Sequence, residues 1–163
     1  MNTHHLEAFQ LLEKASNILH CRIASQLLQW ELSVVQFQTL ELIVSRKTVT
    51  PSHCSHALNI STSGVTRILD QLERRSLLRR EKVGHDRRLV YLRLTQSGLK
   101  MFQQASQTLN DGCKDIAMRS PLAELAALND ALRKLSQAMQ APTLKTAPQQ
   151  VPEPRPVKAL RAG

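Results

Sequence analysis

Residues 50–75 read TPSHCSHALNISTSGVTRILDQLERR, and this stretch decides the fold. Thr50 followed by Pro51 supplies an N-cap and a first-turn proline, predicting a short helix to about Leu58. Asn59 and Ile60 make a turn, and Ser61 caps a second helix predicted to reach Arg75. Its inward stripe is Val65, Ile68, Leu69 and Leu72, which leaves Thr62, Ser63, Thr66, Arg67 and Gln71 outward. Two helices joined by so short a turn form a helix-turn-helix. Two strands are expected next, near Leu78–Lys82 and Leu89–Leu94, with a loop from Val83 to Arg88 between them. That hairpin would stand beside the second helix as a wing.

Charge concentrates on the same stretch. Between Arg46 and Arg93 there are eleven Lys or Arg against Asp70, Glu73, Glu81 and Asp86, a net +7 of the formal +9 of the whole 163-residue chain. Such a footprint implies a phosphate backbone as partner, and double-stranded DNA is the expectation. A helix entering the major groove needs short polar residues at its N-terminus, where backbone amides also meet phosphate. Ser61, Thr62 and Ser63 suit that role, with Thr66, Arg67 and Gln71 further along. Asp86, Arg87 and Arg88 fall at the wing tip, where an Arg can enter a narrow minor groove and Asp86 can fix a neighbouring guanidinium. Taken singly these are a helix cap, solvated arginines and a charged turn. Their order along the chain favours DNA.

Outward from this centre the chain reads as helices. A first helix from about Leu6 to Leu28 carries the stripe Leu12, Ala15, Leu19, Ile23 and Leu27, with Phe9, Leu11, Ile18 and Leu28 off it. A helix apolar on more than one face is buried on more than one side, and another subunit is the expected cover. Ser33 and Gln36 form a capping box that opens a helix with Val34, Phe37, Leu40, Ile43 and Val44 facing inward. Thr95 caps a long helix with the stripe Leu99, Phe102, Ala105, Leu109, Cys113 and Ile116. Ser120 and Pro121 start a last helix carrying Leu122, Leu125, Leu128, Leu132, Leu135 and Met139. Five of the seven prolines fall between Pro142 and Pro156, so residues 141–163 are expected to be a disordered basic tail. The organisation expected is an N-terminal dimerisation helix over 1–32, a DNA-binding lobe over 33–95 and C-terminal dimerisation helices over 96–140.

Composition agrees with a mainly helical chain holding a small two-stranded β wing. The chain is 42% hydrophobic but only 3% aromatic, with five glycines. No apolar run approaches the roughly 20 residues that span a bilayer, so no membrane partner is expected. The opening Met1-Asn2-Thr3-His4-His5-Leu6-Glu7 lacks a signal peptide's basic flank and apolar core. Three cysteines without paired spacing fit reduced thiols in a cytoplasm. No paired acids, Gly-rich phosphate loop or Ser/Cys–His–Asp arrangement stands on suitable elements, so neither an enzyme nor a cofactor is expected.

Several segments together resemble the MarR family of bacterial winged-helix regulators: residues 32–36 (LSVVQ), 50–58, 61–67 (STSGVTR), 72–77 (LERRSL), 86–88 (DRR) and 94–98 (LTQSG). The resemblance covers roughly residues 6 to 140. It implies a cytoplasmic, nucleoid-associated homodimer held by the terminal helices. It also implies a repressor on palindromic operators, released by a small ligand or oxidant, with Ser61, Thr62, Ser63, Thr66 and Arg67 facing the major groove. Gly64 departs from the usual Ser or Thr; it costs about 1 kcal/mol mid-helix relative to Ala, and either softens the recognition helix or admits DNA more closely. Ser76 replaces the Gly that normally ends this helix at positive φ.

For the signal, the resemblance implies a pocket between the dimer helices and the DNA-binding lobe. His20, Arg22 and Trp30 are the residues that could offer charge and a stacking surface to an anionic aromatic effector, although Trp30 is more often plain core. Cys21, flanked by His20 and Arg22, is the redox candidate, with an inert thiol as the default. Cys54 and Cys113 read as core packing. His53, Cys54 and His56 look metal-like, but His53 and Cys54 diverge by about 100° on a helix, and exposed polar His is the simpler reading. Besides a ligand-responsive repressor, a redox-sensing repressor and a constitutive or architectural DNA-binding protein remain open.

Overall fold

The computed structural model describes residues 3–82, 90–119 and 122–140. The elements are α1 (Thr3–Leu27), a 3-10 turn (Leu28–Trp30), α2 (Val34–Ser45), α3 (Pro51–Leu58), α4 (Thr62–Arg74), β1 (Leu78–Lys82), β2 (Val90–Leu94), α5 (Gln96–Ala117) and α6 (Leu122–Gln140). The fold is mainly helical with one two-stranded antiparallel sheet. The chain divides into two units after Ile116.

Local chemistry sets each boundary in the first unit. Ser33 and Gln36 close a capping box at α2: Gln36 N–H donates to Ser33 Oγ at 3.2 Å, and Ser33 N–H to Gln36 Oε1 at 2.9 Å. Thr50 caps α3 in the same way, with His53 Nδ1 accepting the Thr50 N–H at 3.4 Å. Thr95 Oγ1 accepts from Gly98 N–H at 3.0 Å to open α5. Among the described residues, Glu31, Asn59 and Ser76 are the non-glycines with positive φ, and each sits in the corner after a helix. Ser76, at φ 56°, closes a Schellman-type corner: its N–H donates to Glu73 O at 2.8 Å and Leu77 N–H to Leu72 O at 2.9 Å.

The core gathers α2, α4, both strands and the C-terminal end of α1. Leu27, Leu40, Leu69, Leu72, Leu78 and Leu92 are fully buried, each stabilising the fold by about 1.5–3 kcal/mol relative to an exposed side chain. Phe37 stacks on Phe102 with ring centroids 5.4 Å apart, joining α2 to α5. The strands pair with Leu78 opposite Leu94 and Lys82 opposite Val90. This register sets Arg79 opposite Arg93, a repulsive pair. Glu81 relieves it, reaching Arg79 at 2.7 Å and Arg93 at 3.4 Å. Leu92 N–H donates to Val49 O at 2.8 Å, so the segment before α3 lies along β2.

Several positions assigned to inward stripes are exposed. Val44 on α2 and Leu99, Cys113 and Ile116 on α5 are open to solvent, while Phe102 and Leu109 are half-buried and Ala105 is fully buried. On α1 only Leu27 of the stripe is buried; Leu12 and Ile23 are half-buried, and Ala15 and Leu19 are exposed. These residues share helical faces, as the periodicity indicates, but the inward assignment fails for them: the described residues do not cover these faces. Cys113 is therefore not core within this chain, whereas Cys54 is, at 0% exposure.

In the second unit, α6 has Glu124 in its first turn, where a carboxylate complements the helix dipole. Leu125, Leu132 and Leu135 are half-buried, and Leu128 and Met139 are exposed.

Candidate nucleic-acid interface

The helix-turn-helix is fixed by a small set of bonds around residues 55–64. Ser55 Oγ donates to Ile60 O at 2.6 Å, and Ile60 N–H donates back to Ser55 O at 3.1 Å. Asn59 takes the left-handed conformation at φ 52°, which Asn tolerates better than most residues with a Cβ. Ser61 Oγ then accepts from Gly64 N–H at 3.2 Å and caps α4. A Cβ on Gly64 would lie 2.8 Å from Ile60 Cγ2. The missing side chain therefore admits the turn residue itself, a packing reason that neither expectation for this glycine had included.

Burial divides α4 as the sequence indicates. Val65, Leu69 and Leu72 are buried and Ile68 is half-buried, while Ser61, Thr62, Ser63, Thr66 and Arg67 are exposed. The hydroxyls already have local partners: Ser61 Oγ and Ser63 Oγ share a hydrogen bond at 3.2 Å, and Thr66 Oγ1 donates to Thr62 O at 2.9 Å. Their remaining lone pairs can accept, but new donation requires rotation. Arg67 has no hydrogen bond or ion pair among the described residues, so its five-donor fork is open to solvent. Gln71 differs from its neighbours: it is half-buried, and its Oε1 accepts from Gln36 Nε2 at 3.0 Å. Part of its hydrogen-bonding capacity is committed to α2.

The base of the wing is tied to α4 by Arg80, whose two terminal nitrogens reach Asp70 Oδ1 at 2.6 Å and Glu73 Oε2 at 2.7 Å. The sequence counted Arg80 only as charge. A signal was present in the acids three residues apart on α4, followed by an Arg on the adjoining strand. Asp86, Arg87 and Arg88 lie outside the described residues.

The other candidate residues are dispersed. Arg22 lines a cleft of about 90 Å³ between α1 and α5 with Leu19, Gln26, Gly112 and Cys113. Neither His20, exposed on α1, nor half-buried Trp30 is part of that lining. Trp30 packs on the core, and its Nε1 is buried without a partner among the described residues. Cys21 is exposed. Burial raises the Cys54 pKa and keeps the thiol protonated, and His53 uses Nδ1 in the α3 cap, so the metal-like cluster dissolves into packing and capping. Among the described residues no group of three metal-binding side chains converges, and no helix is long and apolar enough to cross a membrane.

Residues 30–89, which hold α2, α3, α4 and β1, match the MarR family model. The HTH-type transcriptional regulator FarR of Neisseria gonorrhoeae is 28% identical over 107 residues, 60% of this chain and 73% of that protein. The transcriptional repressor MprA of Escherichia coli K12 is 30% identical over 95 residues, 58% of this chain and 51% of the repressor. Over this lobe the chain is similar to the MarR family. Solved MarR-family structures share its fold. A member from Bacillus stearothermophilus superposes with a TM-score of 0.73 at 23% identity, covering 85% of this chain and 98% of that one. A mutant E. coli MarR complexed with operator DNA gives 0.71 at 22% identity, covering 82% and 96%. At these identities the likeness establishes the winged-helix architecture. Both of these relatives, FarR and MprA, are transcriptional regulators rather than enzymes.

Proposed function

We propose that the chain is a dimeric repressor that places the N-terminus of α4 in the major groove of a palindromic operator. The observation that carries this is the exposed row Ser61, Thr62, Ser63, Thr66 and Arg67 on a rigidly turned helix, with Arg67 unpartnered among the described residues. The net +7 between Arg46 and Arg93 supplies the sequence-independent attraction. Gln71 serves beside them through the part of its amide that Gln36 leaves free, and Asp86, Arg87 and Arg88, between the two strands in sequence, contribute to the same interface.

Pairing of two chains through 1–32 and 96–140 is supported by the apolar side chains that α1 leaves in water: Leu6, Phe9, Leu11, Ile18 and Leu28. In such a dimer the two recognition helices must match successive major grooves, about 34–36 Å apart. An effector that binds a mismatched conformation more tightly releases the operator, and an anionic aromatic acid meeting His20, Arg22 or Trp30 is the class to test first. Cys21, exposed on α1, supports oxidation as the competing signal.

A second reading, DNA binding without an effector, has its own support. The cleft beside Arg22 measures about 90 Å³, below the roughly 300 Å³ at which small-molecule sites begin, so within one chain the candidate effector residues line no ligand-sized cavity. Selection of bound duplexes from a random pool at physiological salt separates these readings. A palindromic consensus released by an aromatic acid or by peroxide establishes the ligand-responsive or the redox repressor. Binding without a consensus favours the architectural protein.

A further inference from the structure

The corner that ends α4 is held from two sides. On one side the Arg75 guanidinium donates to Glu31 O at 2.5 Å and to Trp30 O at 2.9 Å, and lies 3.9 Å from Met101 Sδ. These partners lie at the end of the 3-10 turn that follows α1 and on α5. Glu31 itself sits at φ 51° and offers its carboxylate to the same guanidinium at 3.8 Å. On the other side Ser76 O accepts from Thr95 Oγ1 at 2.6 Å and Ser97 Oγ at 2.8 Å, and Thr95 N–H donates to Leu77 O at 3.1 Å. Gly98 closes the grip, since a Cβ there would fall 1.8 Å from Leu77 O. Residues 75–77 are thus wedged between the end of α1 and the first turn of α5.

We propose that Arg75 is a positioning residue for DNA recognition, setting the pose of α4 from the α1–α5 frame without touching DNA. Its fork is pre-organised for two carbonyls at once, which an ammonium on a flexible stem cannot copy. Both carbonyls belong to backbone that leads out of α1, so a rotation of α1 against α5 is felt first at this corner. A thirteen-residue helix is about 20 Å long, so a tilt of a few degrees at Arg75 displaces the Ser61 end by about 1–2 Å. That displacement is enough to break a base-edge hydrogen bond without altering the charge presented to phosphate. The inference rests on the operator reading above.

The test compares wild type, Arg75→Gln and Arg75→Lys on the duplex that wild type enriches from a random pool and on a scrambled duplex of equal length, across a salt series, with melting followed by circular dichroism. Both variants are expected to lose about tenfold or more on the enriched duplex, the worth of roughly one bidentate base contact. The scrambled duplex and the salt slope should be unaffected. A parallel loss on both duplexes with a slope reduced by about one would make Arg75 a phosphate contact and overturn the proposal. Full rescue by Lys overturns it too, because only the charge would then matter. Should Arg75→Gln fail to fold, Arg75→Lys and Ser97→Ala, which loosens the same corner from the α5 side, carry the test; wild-type discrimination in both refutes it. A wild-type chain that enriches no duplex brings down the operator reading and this inference together, whereas enrichment with unaffected variants brings down the inference alone.

Discussion

Single positions in this chain are set by contacts that a reader of the sequence can anticipate only when the contacts are local. Ser33, Thr50, Ser61 and Thr95 were legible as caps because a cap bonds within three residues of itself. Ser76 was legible as a strained choice, and its φ of 56° bears that out. Ser76→Gly should therefore raise stability by about 1 kcal/mol in urea titration, the order of the left-handed penalty for a residue with a Cβ. Gly98 was not legible, since its constraint comes from Leu77, twenty-one residues away in the chain. Because the obstacle is backbone, Gly98→Ala should cost about 3 kcal/mol or more, against at most 1 for a glycine with free space around it. Cys54, buried at 0% exposure with its pKa raised by desolvation, should resist iodoacetamide until the chain unfolds, whereas exposed Cys21 should react first. Its folded pKa lies above the unfolded value, so the thiol's contribution is complete below the ordinary thiol pKa and is lost as pH rises above it through the raised folded value. Peptide mapping after alkylation reads the first expectation, and alkaline denaturation the second.

At the level of elements, periodicity located each helix and named its apolar faces, but it could not say which face the chain itself covers. Val44, Leu99, Cys113 and Ile116 obey the helical repeat and still meet solvent. Ion pairs between elements were likewise only partly legible. Arg80 joins β1 to α4 through Asp70 and Glu73, a pairing the two acids on α4 hint at but whose geometry only the fold supplies. All three side chains are about 30–47% exposed, so Arg80→Ala should cost no more than about 1 kcal/mol in denaturant titration. The same change should weaken enriched-duplex binding more than scrambled-duplex binding, because the wing loses its tie to α4. For the wing tip itself, Arg88→Ala should weaken operator binding about tenfold or more with no change in melting, and equal affinity at physiological salt would refute a minor-groove role.

Across the whole molecule, charge and apolar surface point in different directions. The basic stretch from Arg46 to Arg93 implies steep salt dependence: on the order of a thousandfold loss of affinity between about 50 and 200 mM salt if six or more phosphates are neutralised. Fluorescence anisotropy across that range reads it. The apolar side chains of α1 imply self-association, and Phe9→Asp should shift the chain toward monomer in sedimentation velocity while leaving the α2–β2 core intact.

The uncovered face of α1 also has a consequence in time and amount. If, as proposed, a second chain covers Leu6, Phe9, Leu11, Ile18 and Leu28, the stability of the chain rises with its own concentration. Newly made or diluted protomers are the ones open to proteases, and paired ones are sheltered. The population able to read DNA then falls faster than the protein itself when synthesis slows. Abundance becomes part of how sharply such a regulator turns off.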